Sequence, residues 1–174
     1  HHVVLLRSDG AAVACGRGEQ GQCDLPAPEA GTAYTQVAAG GGHTVLLRSD
    51  GRVAACGDDS VGQCSAPDLK LGTTYTKVVA GACSTVLLRS DGYAVACGGC
   101  SREGRGFSRV DPEPGEAYID AAVGPAHHVL LRGDGRALAF GSNGRGQCDI
   151  PRPPAGVTYG PPSRFERSRS ERSV

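Results

Sequence analysis

Four patterns in this chain have the residue types of working chemistry. The first is Gly16-Arg17-Gly18-Glu19-Gln20-Gly21, spaced G-x-G-x-x-G like a turn that holds a dinucleotide pyrophosphate. That chemistry needs a helix directly after the glycines, so that its N-terminal amides face the phosphates. Gln22-Cys23-Asp24-Leu25-Pro26 follows instead, and Pro26 opposes a helix. The second pattern is eight cysteines, among them Cys97-Gly-Gly-Cys100, which raises zinc or redox work. The third is histidine: His1-His2, His43 and His127-His128. The fourth is Arg132-Gly133-Asp134, the tripeptide associated with integrin adhesion.

Each pattern has a second explanation in the spacing. Cys15, Cys56 and Cys97 share one position of a repeat, and Phe140 fills it in the fourth copy. Phe cannot ligate a metal, but it can replace a small buried apolar residue. Cys23, Cys64 and Cys148 form a second such column. Free thiols fit a reducing compartment, with Cys15–Cys23 and Cys56–Cys64 disulfides as the alternative. His2, His43 and His127 form a third column, in which Ser84 stands in the third copy. This column reads as an imidazole bonded to backbone at an inner turn, with His1 and His128 outside the pattern. The RGD tripeptide is the fourth copy of R-S-D-G with Ser changed to Gly. A column serves the fold in every copy, whereas an active site would break the repeat. No catalytic, cofactor-binding or metal-binding residue is therefore assigned, no cofactor is expected, and the chain reads as non-enzymatic.

The elements that carry these columns come from one line written four times: "HVVLLRSDGAAVACG", "HTVLLRSDGRVAACG", "STVLLRSDGYAVACG" and "HHVLLRGDGRALAFG". Asp9, Asp50, Asp91 and Asp134 recur at spacings of 41, 41 and 43 residues. The units are 2–42, 43–83, 84–126 and an incomplete 127–159, followed by a tail, 160–174. "YTQVAA" and "HTVLL" are rich in β-branched and apolar residues and bounded by Gly, as strands are. The Asp-Gly pairs Asp9-Gly10, Asp50-Gly51, Asp91-Gly92 and Asp134-Gly135 predict hairpins with type I′ turns. Val45, Leu46 and Leu47 are consecutive apolar residues, so both faces of that strand should be buried. The "GQC" segment can supply a fourth short strand. Such a unit, without helical periodicity, predicts an all-β fold of propeller blades made of short antiparallel strands. A β-solenoid is the alternative.

The residues "VAAGGGHTVLLRSDGRVAACG" followed by "GQC", and "GSNGRGQ" at 141–147, resemble the regulator of chromosome condensation repeat family. The resemblance covers residues 2 to about 159. It implies a β-propeller, usually of seven blades, used by different members as a nucleotide exchange factor for a small GTPase, as a domain of large ubiquitin ligases, or as a photoreceptor. A fold shared by so many activities does not choose among them. The family's common Trp is replaced by Cys15, Cys56, Cys97 and Phe140, and the chain has no Trp at all, which removes tryptophan-based photoreception from this segment.

One loop breaks the repeat. "GGCSREGRGFSRVDPEPG" from Gly98 is longer than its counterparts and adds Arg102, Arg105, Phe107 and Arg109. Arg and aromatic side chains anchor protein interfaces, so these four are the candidate protein-binding residues. Eighteen basic residues balance eighteen acidic ones, which gives no general electrostatic case for nucleic acid or membrane. Only the Arg/Ser-rich tail, expected to be disordered, could hold RNA weakly. The expected partner is protein, a small GTPase among the alternatives, and the expected location cytoplasmic or nuclear. With no Met, the chain reads as a segment of a longer protein. About four units make an open arc of the seven-bladed ring. Its two end faces should then carry apolar residues such as Val4 and Leu6 at one end and Leu130 and Leu138 at the other, and so promote self-association.

Overall fold

The computed structural model describes residues 1–99 and 109–160. The described residues form eleven strands and no helix: β1 (His2–Leu6), β2 (Ala12–Gly16), β3 (Tyr34–Ala39), β4 (His43–Arg48), β5 (Val53–Gly57), β6 (Tyr75–Ala80), β7 (Ser84–Arg89), β8 (Ala94–Gly98), β9 (Tyr118–Val123), β10 (His127–Arg132) and β11 (Ala137–Gly141). They make four antiparallel sheets: β1-β2, β3-β4-β5, β6-β7-β8 and β9-β10-β11. Each three-stranded sheet joins the last strand of one sequence unit to the first two of the next. The "YTQVAA" strand β3 therefore belongs to the blade of β4, with Val37 opposite Leu46. In the first blade the described residues supply two strands, β1 and β2.

The central strand of each blade is buried on both faces where it has blades on both sides. Every residue of β4 is buried, as the three consecutive apolar residues predict. Side chains of opposite parity face opposite neighbours. Val45 and Leu47 pack with Leu87, Val95 and Cys97 of the third blade. On the far side of that blade, Val86 and Leu88 pack with Leu130 of the fourth, against Leu138 and Phe140. The blades thus stack in chain order, and the first and last sheets make no comparable contact with each other.

The open ends differ from the sequence expectation in parity. Leu130 is fully buried and Leu138 half-buried, because their face looks back at the third blade. The free face of the fourth blade carries Val129, Leu131, Ala137, Ile150 and Tyr159 around an apolar hollow. At the other end Val4 is half-buried, and Val3, Leu5 and Val13 are the exposed apolar residues, at 54%, 58% and 44%. Leu6, the other residue expected there, is exposed only to 38%.

Two further expectations change. The "GQC" segments are turns and add no fourth strand, so the second, third and fourth blades have three strands each. Gly21 in its left-handed conformation reverses the chain there, and the Gln22 side chain turns back to accept from the Gln20 amide at 2.9 Å. The hairpins also use a different turn. Gly51 has a φ of 76°, but among the described residues no non-glycine has positive φ, so Asp50 does not and the turn is not type I′. The Gly51 amide donates to the Arg48 carbonyl (3.0 Å), and the Arg48 amide to the Arg52 carbonyl (2.8 Å). That is a three-residue loop with Gly at its left-handed position. Asp50 Oδ1 accepts from the Arg52 amide at 3.0 Å, which gives Asp a place ahead of Gly without positive φ.

Candidate functional site

The polar columns meet at the junctions between blades. His43, on the first residue of β4, is fully buried. Its Nε2 lies 3.0 Å from Thr85 Oγ1, on the second residue of β7 in the next blade. The Thr85 hydroxyl donates to the Gln63 carbonyl at 2.7 Å. A hydroxyl has one proton to give, so the bond from His43 must be an Nε2–H donation. The junction before it repeats the arrangement: His2 Nε2 lies 2.7 Å from Thr44 Oγ1, which donates to the Gln22 carbonyl at 2.7 Å. The imidazoles bind across to the next blade's hydroxyl, not to backbone, and Nδ1 of both rings is buried without a partner. Burial pushes the pKa of His43 down, with smaller opposing contributions from Asp58 and Asp59, and burial likewise lowers that of His2. Both favour the neutral, Nε2-protonated ring that the geometry requires. The invariant glycine ahead of the column has a steric cause: a Cβ on Gly40 would sit 2.2 Å from His43 Cε1.

The third junction shows what sequence reading missed. There Ser84 holds the His position, and its Oγ lies 2.9 Å from Nε2 of the buried His128. His128 stands in the Thr44/Thr85 column, so imidazole and hydroxyl have traded sides. The two departures, each unexplained alone, are one compensated exchange. The signal was present as two column exceptions on consecutive units.

The Arg-x-Asp of each hairpin forms a local ion pair. Arg48, nearly buried, donates to Glu29 through both terminal nitrogens (2.5 and 2.9 Å) and to Asp50 at 2.7 Å. The Arg48 guanidinium holds the Glu29 carboxyl below its ordinary range. Arg7 pairs with Asp9, and Arg89 with Asp91. Arg132 pairs with Glu113 at 3.0 Å and Asp134 at 2.8 Å, with a side chain only 6% exposed. That RGD tripeptide therefore does not offer its guanidinium to a receptor. Gly10, Gly51, Gly92 and Gly135 accept, through their carbonyls, the amides of Tyr34, Tyr75, Tyr118 and Tyr159, tying each hairpin to the start of the following blade.

Other predicted residues lie apart from the junctions. Arg109 pairs with Asp111 and stacks over Tyr93 at 4.1 Å, while Arg89 approaches the same ring at 5.6 Å. Arg102, Arg105 and Phe107 lie outside the described residues, as does Cys100 and the 161–174 tail. Gly16, Gly18 and Gly21 lead into turns, and the helix that a dinucleotide fingerprint requires after the glycines is not there. Cys15, Cys56 and Cys97 occupy one register position on β2, β5 and β8 and are free thiols, as are Cys23, Cys64 and Cys148. Cys83 is disulfide-bonded. His127 lies half-buried on the free face of the fourth blade, its ring over Gly124 as that of His43 is over Gly40.

What the described geometry offers is a set of surfaces and junctions. Its buried His, Thr and Ser groups bond across blade junctions, and its buried Arg groups bond within hairpins and their loops. Residues 34–63, which span β3, β4, β5 and the Gln63 turn, match the family model of the regulator of chromosome condensation (RCC1) repeat. No curated protein matches the chain significantly. Among solved structures it is similar to human WBSCR16, with a TM-score of 0.70, 20% identity, and coverage of 87% of this chain and 48% of that one. It is also similar to Prp20p of Saccharomyces cerevisiae, a protein described with its binding properties to Gsp1p and histones: TM-score 0.63, 19% identity, 80% of this chain and 43% of that one. The ectodomain of the Arabidopsis thaliana receptor kinase ACR4 gives 0.63, 17%, 82% and 52%. The chain thus spans about half the length of the structures it matches. By sequence, then, residues 34–63 match the regulator of chromosome condensation repeat, and by fold the chain is built of β-propeller blades similar to those of Prp20p.

Proposed function

We propose that the chain is a non-enzymatic, repeat-based protein-interaction module. The observation that carries this reading is the use of the repeat's polar columns. His, Thr and Arg side chains that could do chemistry are engaged at blade junctions and hairpins. What remains for recognition is the rim, where Arg109 and Tyr93 stack beside the one loop that departs from the repeat. The module acts as a scaffold in the cytoplasm or nucleus. The test is affinity capture with the wild-type chain and with an Arg109→Ala/Tyr93→Ala variant, partners being identified by mass spectrometry. Specific partners lost in the variant support the reading. Partners retained in full by a folded variant move the binding surface elsewhere.

A second reading is guanine-nucleotide exchange on a small GTPase, and the observation favouring it is the fold shared with Prp20p, whose binding to Gsp1p is described. A nucleotide-release assay against a GTPase panel separates the two: accelerated release at sub-stoichiometric chain supports exchange, and none across the panel leaves the scaffold reading.

A further inference from the structure

The hairpin ion pairs follow one rule in the second and fourth blades and depart from it in the third. Arg48 Nη2 holds Asp50 of its own hairpin, and its Nη1 holds Glu29, which the connecting turn ahead of the blade brings in. Arg132 does the same with Asp134 and Glu113. In the third blade Arg89 pairs with Asp91 through Nε and Nη2, at 3.0 and 2.5 Å. Among the described residues no carboxylate accepts from its Nη1. The cause is one residue: Lys70 stands in the turn where the other two blades have Glu29 and Glu113.

The turn itself is unchanged. The Thr73 amide donates to the Lys70 carbonyl at 3.0 Å, as Thr32 does to Glu29 and Glu116 to Glu113 at 2.9 Å. The Ser90 amide donates to the Thr74 carbonyl at 2.8 Å, as Ser49 does to Ala33. Lys70 therefore starts from the place beside Arg89 that Glu29 has beside Arg48, with the opposite charge. A second departure adds to the first. Tyr93 replaces the Arg52 and Arg136 of the other hairpins, and Arg109 stacks on its ring at 4.1 Å. Around this hairpin Arg89, Lys70 and Arg109 are set against Asp91 and Asp111, whereas in the second blade Arg48 and Arg52 are set against Glu29 and Asp50. Asp68, in the same connection as Lys70, lies with Arg52 at the second hairpin and does not offset this charge. Next to Lys70, Leu71 is fully exposed, which offers a protein an apolar contact that a small anion could not use.

We propose that this rim of the third blade is a docking surface for a partner protein that places a side-chain carboxylate on Arg89 Nη1, flanked by Lys70 and Arg109, where Glu29 and Glu113 serve the other blades from within the chain. A guanidinium and a carboxylate form charge-assisted bonds of fixed geometry, and the Arg89 side chain is only 9% exposed, so water competes weakly for the contact. The proposal rests on the reading of the chain as an interaction module and adds the chemistry of the partner.

The test uses a fluorescently labelled octaglutamate peptide, with octaglutamine as the neutral control, read by anisotropy in about 0.15 M salt. Wild type should bind octaglutamate and not octaglutamine. Lys70→Glu supplies the carboxylate from within the chain. It should weaken octaglutamate binding about tenfold or more, and raise the melting temperature by about 2 °C or more as Arg89 gains its second partner. Arg145→Glu makes the same change of charge at an exposed turn of the fourth unit and should leave binding within about twofold. Equal weakening by both variants, no weakening by Lys70→Glu, or no gain in its melting temperature each overturns the proposal. A chain that captures partners through Arg109 and Tyr93 but ignores octaglutamate overturns it too, and leaves the module reading in place.

Discussion

Replacing Thr85 with Val removes one hydroxyl while keeping shape and volume, and the structure sets the size of the effect. Thr85 is 1% exposed, and its Oγ1 both donates to the Gln63 carbonyl and accepts from His43 Nε2–H. The variant leaves a buried acceptor and a buried donor unpaired, each at about 1–3 kcal/mol, for a total of about 2–6 kcal/mol. At roughly 2–4 °C per kcal/mol for a domain of this size, the melting temperature should fall by about 4–24 °C. Differential scanning calorimetry reads this directly. Thr76→Val is the control: that residue is exposed, its hydroxyl makes only a 3.3 Å bond to the Leu88 carbonyl, and the change should stay within about 0.5 kcal/mol. A Thr85→Val chain that melts with Thr76→Val would refute the junction relay as a source of stability.

Three further outcomes are expected. Gly51→Val should destabilise by about 2 kcal/mol or more, because Gly51 has a φ of 76° and a Cβ there would meet Thr74 Cβ at 2.3 Å; urea titration checks it. Buried His43 and His128 both have pKa values lowered from the ordinary 6.5, so the unfolded chain binds more protons just below that pH. Stability should therefore be full above pH 6.5 and decline as pH falls through it, and a His43→Asn chain should show a shallower decline in its urea midpoint. The Cys97 thiol, buried and pushed up to about 12, should resist a thiol reagent at pH 8 that labels exposed Cys15, and react only on unfolding, as peptide mapping by mass spectrometry would show.

The blades were legible in the sequence because the evidence for them is local and repeated. Three consecutive apolar residues in "VLL" require burial on both sides, and β4 has it. The junctions were not legible, because their partners are about one unit apart: His43 finds Thr85, and Ser84 finds His128, across 42 and 44 residues. A column read alone shows only that His is common there, not what it faces. Strand parity failed for the same reason. Alternation separates Leu130 from Val129 but does not say which of them faces the preceding blade. The turn type was misread because Asp-Gly fits two loops. The longer one won through the Asp50 carboxylate's bond to the Arg52 amide.

The exchange of Ser84 with His128 limits how this gene can be edited by recombination. Unit 2 begins His-Thr, so it could be duplicated or deleted in frame without disturbing any seam, whereas a second unit 1 would set His2 against Val3. Unit 3 has no such freedom. Its loss would bring His43 against His128, two rings with no hydroxyl between them, and a second copy would set Ser84 against Thr85 with no ring at all. The third and fourth units should therefore be inherited as one block, and duplication among descendants of this chain should fall on unit 2.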